Sequence, residues 1–581
     1  MAGQNKQTPF LTTLINNAFA VLQSRCLFNW CYSDRDGKMK KNIIAVSLTP
    51  ALLLSVFAYS ASAAQVPAGT KLAAKQEIVI NNGSEPVSLD PHKVEGVPES
   101  NIILNLLEGL VSTDADGKIV PGVAQSWSSP DNRTWTFILY PDAKWSDGSP
   151  VTANDFVYSW RRLVDPKTAS PYGSYLHYAY VENVDEILKG TKSPDTLGVK
   201  ALDDHTLQVQ LTQPVPYFVD MLSHTALKPV PKGAIEQFGD KWTAVGKFTG
   251  NGAYTLSSWN VNERLVLKRN PEYRNDKETV IEQATFLPLQ SETSDINRYR
   301  AGEIDITNSA VPPVLFSKLK KEIPAEVRIS PYLCTFYYEI NNSAAPFTDP
   351  RVREAVKLGI DRDIIANKIM GQGQIPAYGF TPHYINGGNF TTPEWASLTQ
   401  AQRNEKGRKL LEEAGFSEKS PLTFELLYNT SDQNKQQAIA AASMWNKNLG
   451  VNVVLKNQEW KTSNQNRHEG NYQVARATWC ADYNEPSSFL NIFLSDSSNN
   501  TSFYRNATFD SAMQRALLAT DEKTRQSAYQ QAEMQLDQDS ALIPIYYRVS
   551  VRLIKPAVGG FTGNDPLDYM DIKRLYMVET Y

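Results

Sequence analysis

Histidine and cysteine are scarce in this chain, six and four among 581 residues, and the shortage removes much of the chemistry an enzyme or metal centre needs. The histidines (His92, His177, His205, His224, His383, His468) are scattered and form no i, i+4 pair. No CxxC, GxSxG, HExxH or GxxxxGK[ST] occurs. Gly371-Gln372-Gly373 begins like a dinucleotide fingerprint, but Pro376 stands at its third position, so it reads as a loop. No metal and no cofactor is expected. A basic stripe is also lacking. With 58 Lys and Arg against 62 Asp and Glu the net charge is −4, which argues against a nucleic-acid partner. After residue 57 there is no apolar run long enough to span a membrane. Internal repeats, low-complexity segments and Gly/Ser linkers are absent, as expected if the chain crosses between lobes several times.

The N-terminus carries a compartment signal. Met39-Lys40-Lys41 is a short basic start, Ile43 to Phe57 is an almost uncharged apolar run, and Ala61-Ser62-Ala63 is a small-x-small cleavage site. This is the pattern of a secretory signal peptide cut after Ala63. Pro50 and the modest length of the run argue against a retained spanning helix. No cysteine follows the cut, so no lipid anchor is expected. Residues 1–38 fit no targeting pattern, and Met39 is the expected true start, an unusually long n-region being the alternative.

Cleavage leaves 518 of the 581 residues, more than one core usually holds, so two or three domains are expected. Removing the six basic and two acidic residues of 1–63 leaves 52 basic and 60 acidic, a net charge of −8. Two cysteines remain, Cys334 and Cys480. In an oxidising compartment an isolated pair reads as one disulfide, with two free thiols as the alternative. The loop it would close is worth up to about 5 kcal/mol by chain entropy.

Strand and helix signals alternate irregularly, the pattern of a mixed α+β or α/β protein. Glu77–Asn81, Trp135 to Leu139, Leu207 to Leu211 and Ala284 to Leu289 read as strands, and 253–259 with 265–267 as a hairpin. Pro98 opens a helix with Ile102, Ile103 and Leu106 on one face. Val352 to Leu358 and Ala401 to Ala414 are further helices, and Val451, Val453 and Leu455 alternate toward Trp460.

The most informative segment is Trp479-Cys480-Ala481-Asp482-Tyr483-Asn484-Glu485-Pro486. It sets a carboxylate between aromatics with no Lys or Arg within five residues. A poorly hydrated carboxylate needs a cationic partner, and a ligand ammonium is one candidate. Aromatics cluster in short runs elsewhere in the chain: Tyr332, Phe336, Tyr337 and Tyr338, and Tyr546 with Tyr547. Stiff amphipathic rings suit a ligand cleft, and equally suit a core.

That segment resembles the ligand-anchoring segment of the periplasmic oligopeptide-binding proteins that feed ABC importers, members of extracellular solute-binding protein family 5. The likeness runs through the mature chain. Lys144-Trp145-Ser146-Asp147-Gly148-Ser149-Pro150-Val151-Thr152-Ala153-Asn154-Asp155-Phe156 resembles the family's turn before a capped helix. Asn251-Gly252-Ala253-Tyr254 and Val352-Arg353-Glu354-Ala355 with Ile360-Asp361-Arg362 resemble two further family patterns. The resemblance implies a class II periplasmic-binding-protein-like fold, two lobes closing by a hinge plus an inserted third. Lobe I would be 64–107, 232–333 and 550–581, lobe II 108–231 and lobe III 334–549, with hinge crossings near 333 and 549.

It also implies a function: capture of an oligopeptide and delivery to the membrane permease of an ABC importer, by a monomer, without catalysis. Carried over residue by residue, Asp482 resembles the ammonium anchor with the Tyr172 hydroxyl beside it. Main-chain groups near Val97, Thr478 and Cys480 would pair with the peptide backbone, and Arg476 resembles a partner for the C-terminal carboxylate. Glu95, Tyr332, Tyr337, Asn429, Trp460, Arg467 and Trp479 would line the cleft, and Cys334–Cys480 would be the disulfide. The chain departs from the pattern at Met370, where a Lys is expected, at Asn434, where a His is expected, and at Thr478, where a Gly is expected. The alternatives are a binder of another solute on the same fold (a murein tripeptide, haem or a nickel chelate) and a periplasmic hydrolase.

Overall fold

The computed structural model describes residues 64–580. The expected upstream extension 1–38 and signal peptide 39–63 lie outside the described residues. Three sheets of four or more strands organise the rest.

The first sheet is mixed. Its order is Glu77–Asn81, Gln283–Leu287, Arg264–Arg269 and Tyr254–Asn260, the first pair parallel and the others antiparallel. The hairpin expected at 253–267 forms its far edge. The second sheet is antiparallel, in the order Ala124–Ser128, Thr134–Leu139, Thr206–Gln210 and Val199–Asp203. In Thr134–Leu139 the alternate residues Trp135, Phe137 and Leu139 are buried, as a half-buried strand requires. The helix Ala153–Val164 packs on this sheet. Its start follows from local chemistry: the Asp155 carboxylate accepts from the Thr152 N–H at 2.7 Å and from its hydroxyl at 3.2 Å. The preceding turn needs Gly148, whose φ is +86°, while Ser149 N–H donates to the Asp147 carboxylate at 2.9 Å.

The third sheet has six strands, in the order Ile375–Pro376, Leu542–Leu553, Val327–Ile340, Val474–Cys480, Thr423–Asn429 and Asn452–Gln458. Its two long strands run antiparallel from Val327 opposite Leu553 to Glu339 opposite Leu542. One end of this pair buries Val551 and Leu553 with Leu287, Ile296 and Tyr299 of the first sheet's side. The other end buries Phe336, Tyr338, Ile340, Ile543 and Ile545 in a separate core with Trp445 and Val356. The pair thus passes from one core to another, which makes a two-lobed molecule. The register slips between Pro331 and Thr335, opposite Val549 and Tyr547. That irregularity falls beside the crossings expected near 333 and 549. The disulfide is formed: Cys334 and Cys480 face each other in register on neighbouring strands, with Cα atoms 4.0 Å apart.

Candidate functional site

A cavity of about 230 Å³ lies between the two cores. One wall comes from 81–101 and 289–310, the other from 429–434, Trp460 and 476–482. Of the thirteen site residues expected from sequence, eleven line it: Glu95, Val97, Tyr172, Tyr332, Asn429, Trp460, Arg476, Thr478, Trp479, Cys480 and Asp482.

Tyr337 and Arg467 are not among the residues that line it. Tyr337 sits in a central strand, where both faces are covered; it is 1% exposed and packs edge-on against Phe380. Arg467 is held by Glu339, which accepts at 2.8 and 3.3 Å, and by the Thr501 hydroxyl at 3.1 Å. Burial opposes its charge, but the Glu339 carboxylate outweighs burial and holds it well above the usual arginine range. Its Nε and Nη2 donors are thereby taken. Of the departures from the family pattern, Met370 is buried in the six-stranded sheet's core and does not line the cavity. Asn434 does line it, and its amide donates to the Asn429 carbonyl at 3.0 Å and side-chain oxygen at 3.1 Å.

Asp482 sits at one end of the cavity, 9% exposed. Its N–H donates to the Ser488 hydroxyl at 2.7 Å, and Trp479 Nε1 donates to the Ser488 carbonyl at 2.7 Å, so the loop is pinned just after the disulfide. Its Oδ1 accepts from the Tyr172 hydroxyl at 3.0 Å and lies 3.3 Å from His224 Nε2. Burial, then the Asp482 charge, hold the Tyr172 hydroxyl well above its usual 10, so it remains a donor. The Ala226 N–H donates to His224 Nδ1 at 3.2 Å, which assigns the ring proton to Nε2, facing Asp482. Both contacts fall on Oδ1. Oδ2 has no hydrogen-bond partner among the described residues and is not sealed from the cavity. His224 was not singled out in the sequence; nothing local marks it, because its partners come from 172 and 482.

At the other end, Arg476 Nη1 reaches Asn429 Oδ1 at 3.4 Å, and its Nε is buried without a partner. The guanidinium lies 5.3 Å from the Phe336 ring centre. The Thr478 hydroxyl oxygen between these ends is also buried without a partner.

The backbone between them is half paired. Val474–Cys480 is bonded along one edge to Val327–Ile340 from Val474 to Cys480. On its other edge Thr423–Asn429 pairs only with Val474 and Ala475. From 476 to 480 that edge carries no strand, and it faces the cavity. The arrangement is therefore an open strand edge with a cation at its start and a carboxylate just past its end.

A larger cavity of about 1000 Å³ lies elsewhere, lined by Glu354, Lys357, Trp395, Lys406, Glu533 and Asp537 among others. It holds none of the expected residues, and most of its charged side chains have partners in its own wall. Lys357 meets Asp537 at 2.9 Å, Lys406 meets Glu354 at 2.6 Å, and Glu533 accepts from the Thr381 hydroxyl at 2.8 Å.

Two lobes enclosing a polar-ended cavity are the architecture of a solute-binding protein. The chain belongs to the bacterial extracellular solute-binding proteins of family 5, whose middle-region model matches residues 118–501. It is 58% identical over 540 residues to the periplasmic oligopeptide-binding protein OppA of Salmonella typhimurium, covering 93% of this chain and 99% of that one. Its fold matches Haemophilus influenzae OppA in complex with RPPGFSPFR at a TM-score of 0.87, with 51% identity, over 88% of this chain and all of the other. A structure of the Escherichia coli murein tripeptide binding protein MppA also gives 0.87, at 44% identity, over 88% of this chain and all of that one. Against the unliganded open form of MppA the score falls to 0.62 at the same identity, over 88% of this chain and 99% of that one.

Proposed function

We propose that this chain is a periplasmic binding protein that captures oligopeptides and delivers them to the membrane permease of an ABC importer. The observation that carries the reading is the open edge 476–480, flanked by Arg476 and by the unshared Oδ2 of Asp482. Any peptide offers an ammonium, a carboxylate and a backbone that pairs like a strand. Added to this edge with its ammonium at Asp482 and its carboxylate toward Arg476, it runs antiparallel to the strand. Six residues of extended chain span at most about 20 Å. The long Arg476 side chain shortens that reach, so ligands of few residues fit best, near tripeptides. Val97, Thr478 and Cys480 then supply main-chain partners, while Glu95, Tyr332, Asn429, Trp460 and Trp479 bound the side-chain space.

Closure of 64–107, 232–333 and 550–581 onto 334–549 about the crossings near 333 and 549, with 108–231 inserted, buries the ligand. The drop in similarity to the open MppA form supports a closed arrangement. We read the chain as a carrier and not a catalyst: His224, in the cavity wall, faces Tyr172 and Asp482, and among the described residues it has no hydrogen bond to a serine or cysteine. The test is native mass spectrometry after incubation with a peptide mixture. Intact peptides bound one per protein support the reading; cleaved products or a non-peptide adduct overturn it.

A further inference from the structure

Every carboxylate in the central cavity already has a partner. Glu95 is held by His468 at 2.6 Å, Glu292 accepts the Asp432 N–H at 2.7 Å, Asp482 is engaged by Tyr172 and His224, and Asp568 meets Arg552 at 2.6 Å. Two guanidiniums line the same cavity, and neither forms an ion pair with a carboxylate of the described residues. Arg476 has the single long contact to Asn429 described above. Arg548, on the strand Leu542–Leu553, makes no side-chain hydrogen bond or ion pair with any described residue; its guanidinium lies 5.5 Å from the centre of the Tyr332 ring. The chain leaves the regular ladder there, between the pairs Pro331–Val549 and Thr335–Tyr547. The two cations feel each other: burial first, then the Arg548 charge, pull Arg476 down to about 10.

Guanidinium does not discharge at neutral pH, and two like charges on one cavity wall with no acid paired to either favour the entry of anions. Glu95, Glu292 and Asp568 are engaged by partners of their own, and the unshared Oδ2 of Asp482 is taken by the ligand ammonium. We propose that Arg548 binds a second ligand carboxylate, distinct from the one that Arg476 takes. That carboxylate belongs either to an acidic side chain of a short peptide or to the chain end of one that outruns Arg476. The inference rests on the peptide-binding reading and narrows it to ligands that bring two negative charges, or a longer reach, into the cavity. Arg548 is a specificity residue here, since Asp482 and the strand edge hold any peptide.

The test is calorimetry on the wild type, Arg548→Gln and Arg548→Lys, with melting curves to confirm equal folding. One ligand set is trialanine with Glu or Gln at positions two and three; the other is alanine peptides of three to five residues. If the source is a side chain, one Glu position beats its Gln twin by about tenfold in the wild type. Arg548→Gln erases that preference and Arg548→Lys keeps part of it. If the source is the chain end, Arg548→Gln weakens the four- and five-residue peptides by a similar factor and spares trialanine. A variant that weakens Glu and Gln twins and all lengths alike, or weakens none, overturns the inference. Failure of the wild type to bind any of these peptides would instead sink the peptide reading itself.

Discussion

Asp482→Asn separates ligand binding from folding, because the two demands fall on different oxygens. Tyr172 and His224 both address Oδ1, at 3.0 and 3.3 Å. Asparagine keeps an oxygen there and can retain both contacts. The Ser488 hydroxyl receives a main-chain N–H, which the substitution does not touch. Thermal stability of the free protein is therefore expected to change little. The position that changes is Oδ2, which becomes an NH₂ pointing at the ligand ammonium. The variant loses a charge pair in a nearly buried site and gains a donor facing a donor. Losing one member of a desolvated charge pair costs about 2–5 kcal/mol, and the donor clash argues for the upper half. That is a loss of roughly 30- to 4000-fold in affinity. Calorimetry on free and N-acetylated tripeptides completes a cycle. The wild type should discriminate strongly against the acetylated ligand, and the variant hardly at all. Equal affinity of the wild type for both ligands, or a variant that still discriminates, would refute the ammonium anchor.

The buried pair Arg552–Asp568, each side chain 4% exposed, should behave differently. Arg552→Met strands the Asp568 carboxylate and should cost about 3–5 kcal/mol in urea unfolding, with the double variant Arg552→Met, Asp568→Leu recovering part; an unaffected single variant contradicts this. Burial pushes Glu95 up, but the His468 charge and hydrogen bond win and hold it below its usual 4.5, while the Glu95 carboxylate holds His468 above 6.5. The Glu95 contribution needs pH above about 4.5 and the His468 contribution is complete below about 6.5, so the pair is strongest between them and fades as pH rises through the elevated His468 value. The melting temperature of wild type minus Glu95→Gln should be largest near pH 5.5 and shrink toward pH 9; a flat difference counts against the pair. Reducing Cys334–Cys480 should lower stability by about 2–5 kcal/mol, and Cys334→Ser should match reduced wild type within error.

Local patterns carried much of the fold in the sequence. Alternation placed Thr134–Leu139 and Thr206–Gln210, and Pro98 placed a helix start, because each depends on neighbours a few residues away. The site was legible where its parts lie close in the chain. Arg476, Thr478, Cys480 and Asp482 share one strand and the loop after it. Charge pairing was not legible, because it is decided by partners brought from far off. Arg467 and Arg476 stand nine residues apart, yet Glu339, distant in sequence from both, claims the first and no acid of the described residues claims the second. Arg548 follows an aromatic run that suits a cleft and a core alike, and the acid nearest His224 in sequence is Asp220, not Asp482. Once the fold has matched each carboxylate in the cavity with a partner, the charges left over become the specificity code. An importer that must accept many side chains can afford strict partners only for the charges every peptide has. A guanidinium left over beyond that minimum, as Arg548 is, therefore marks where this chain departs from general peptide capture toward a narrower choice.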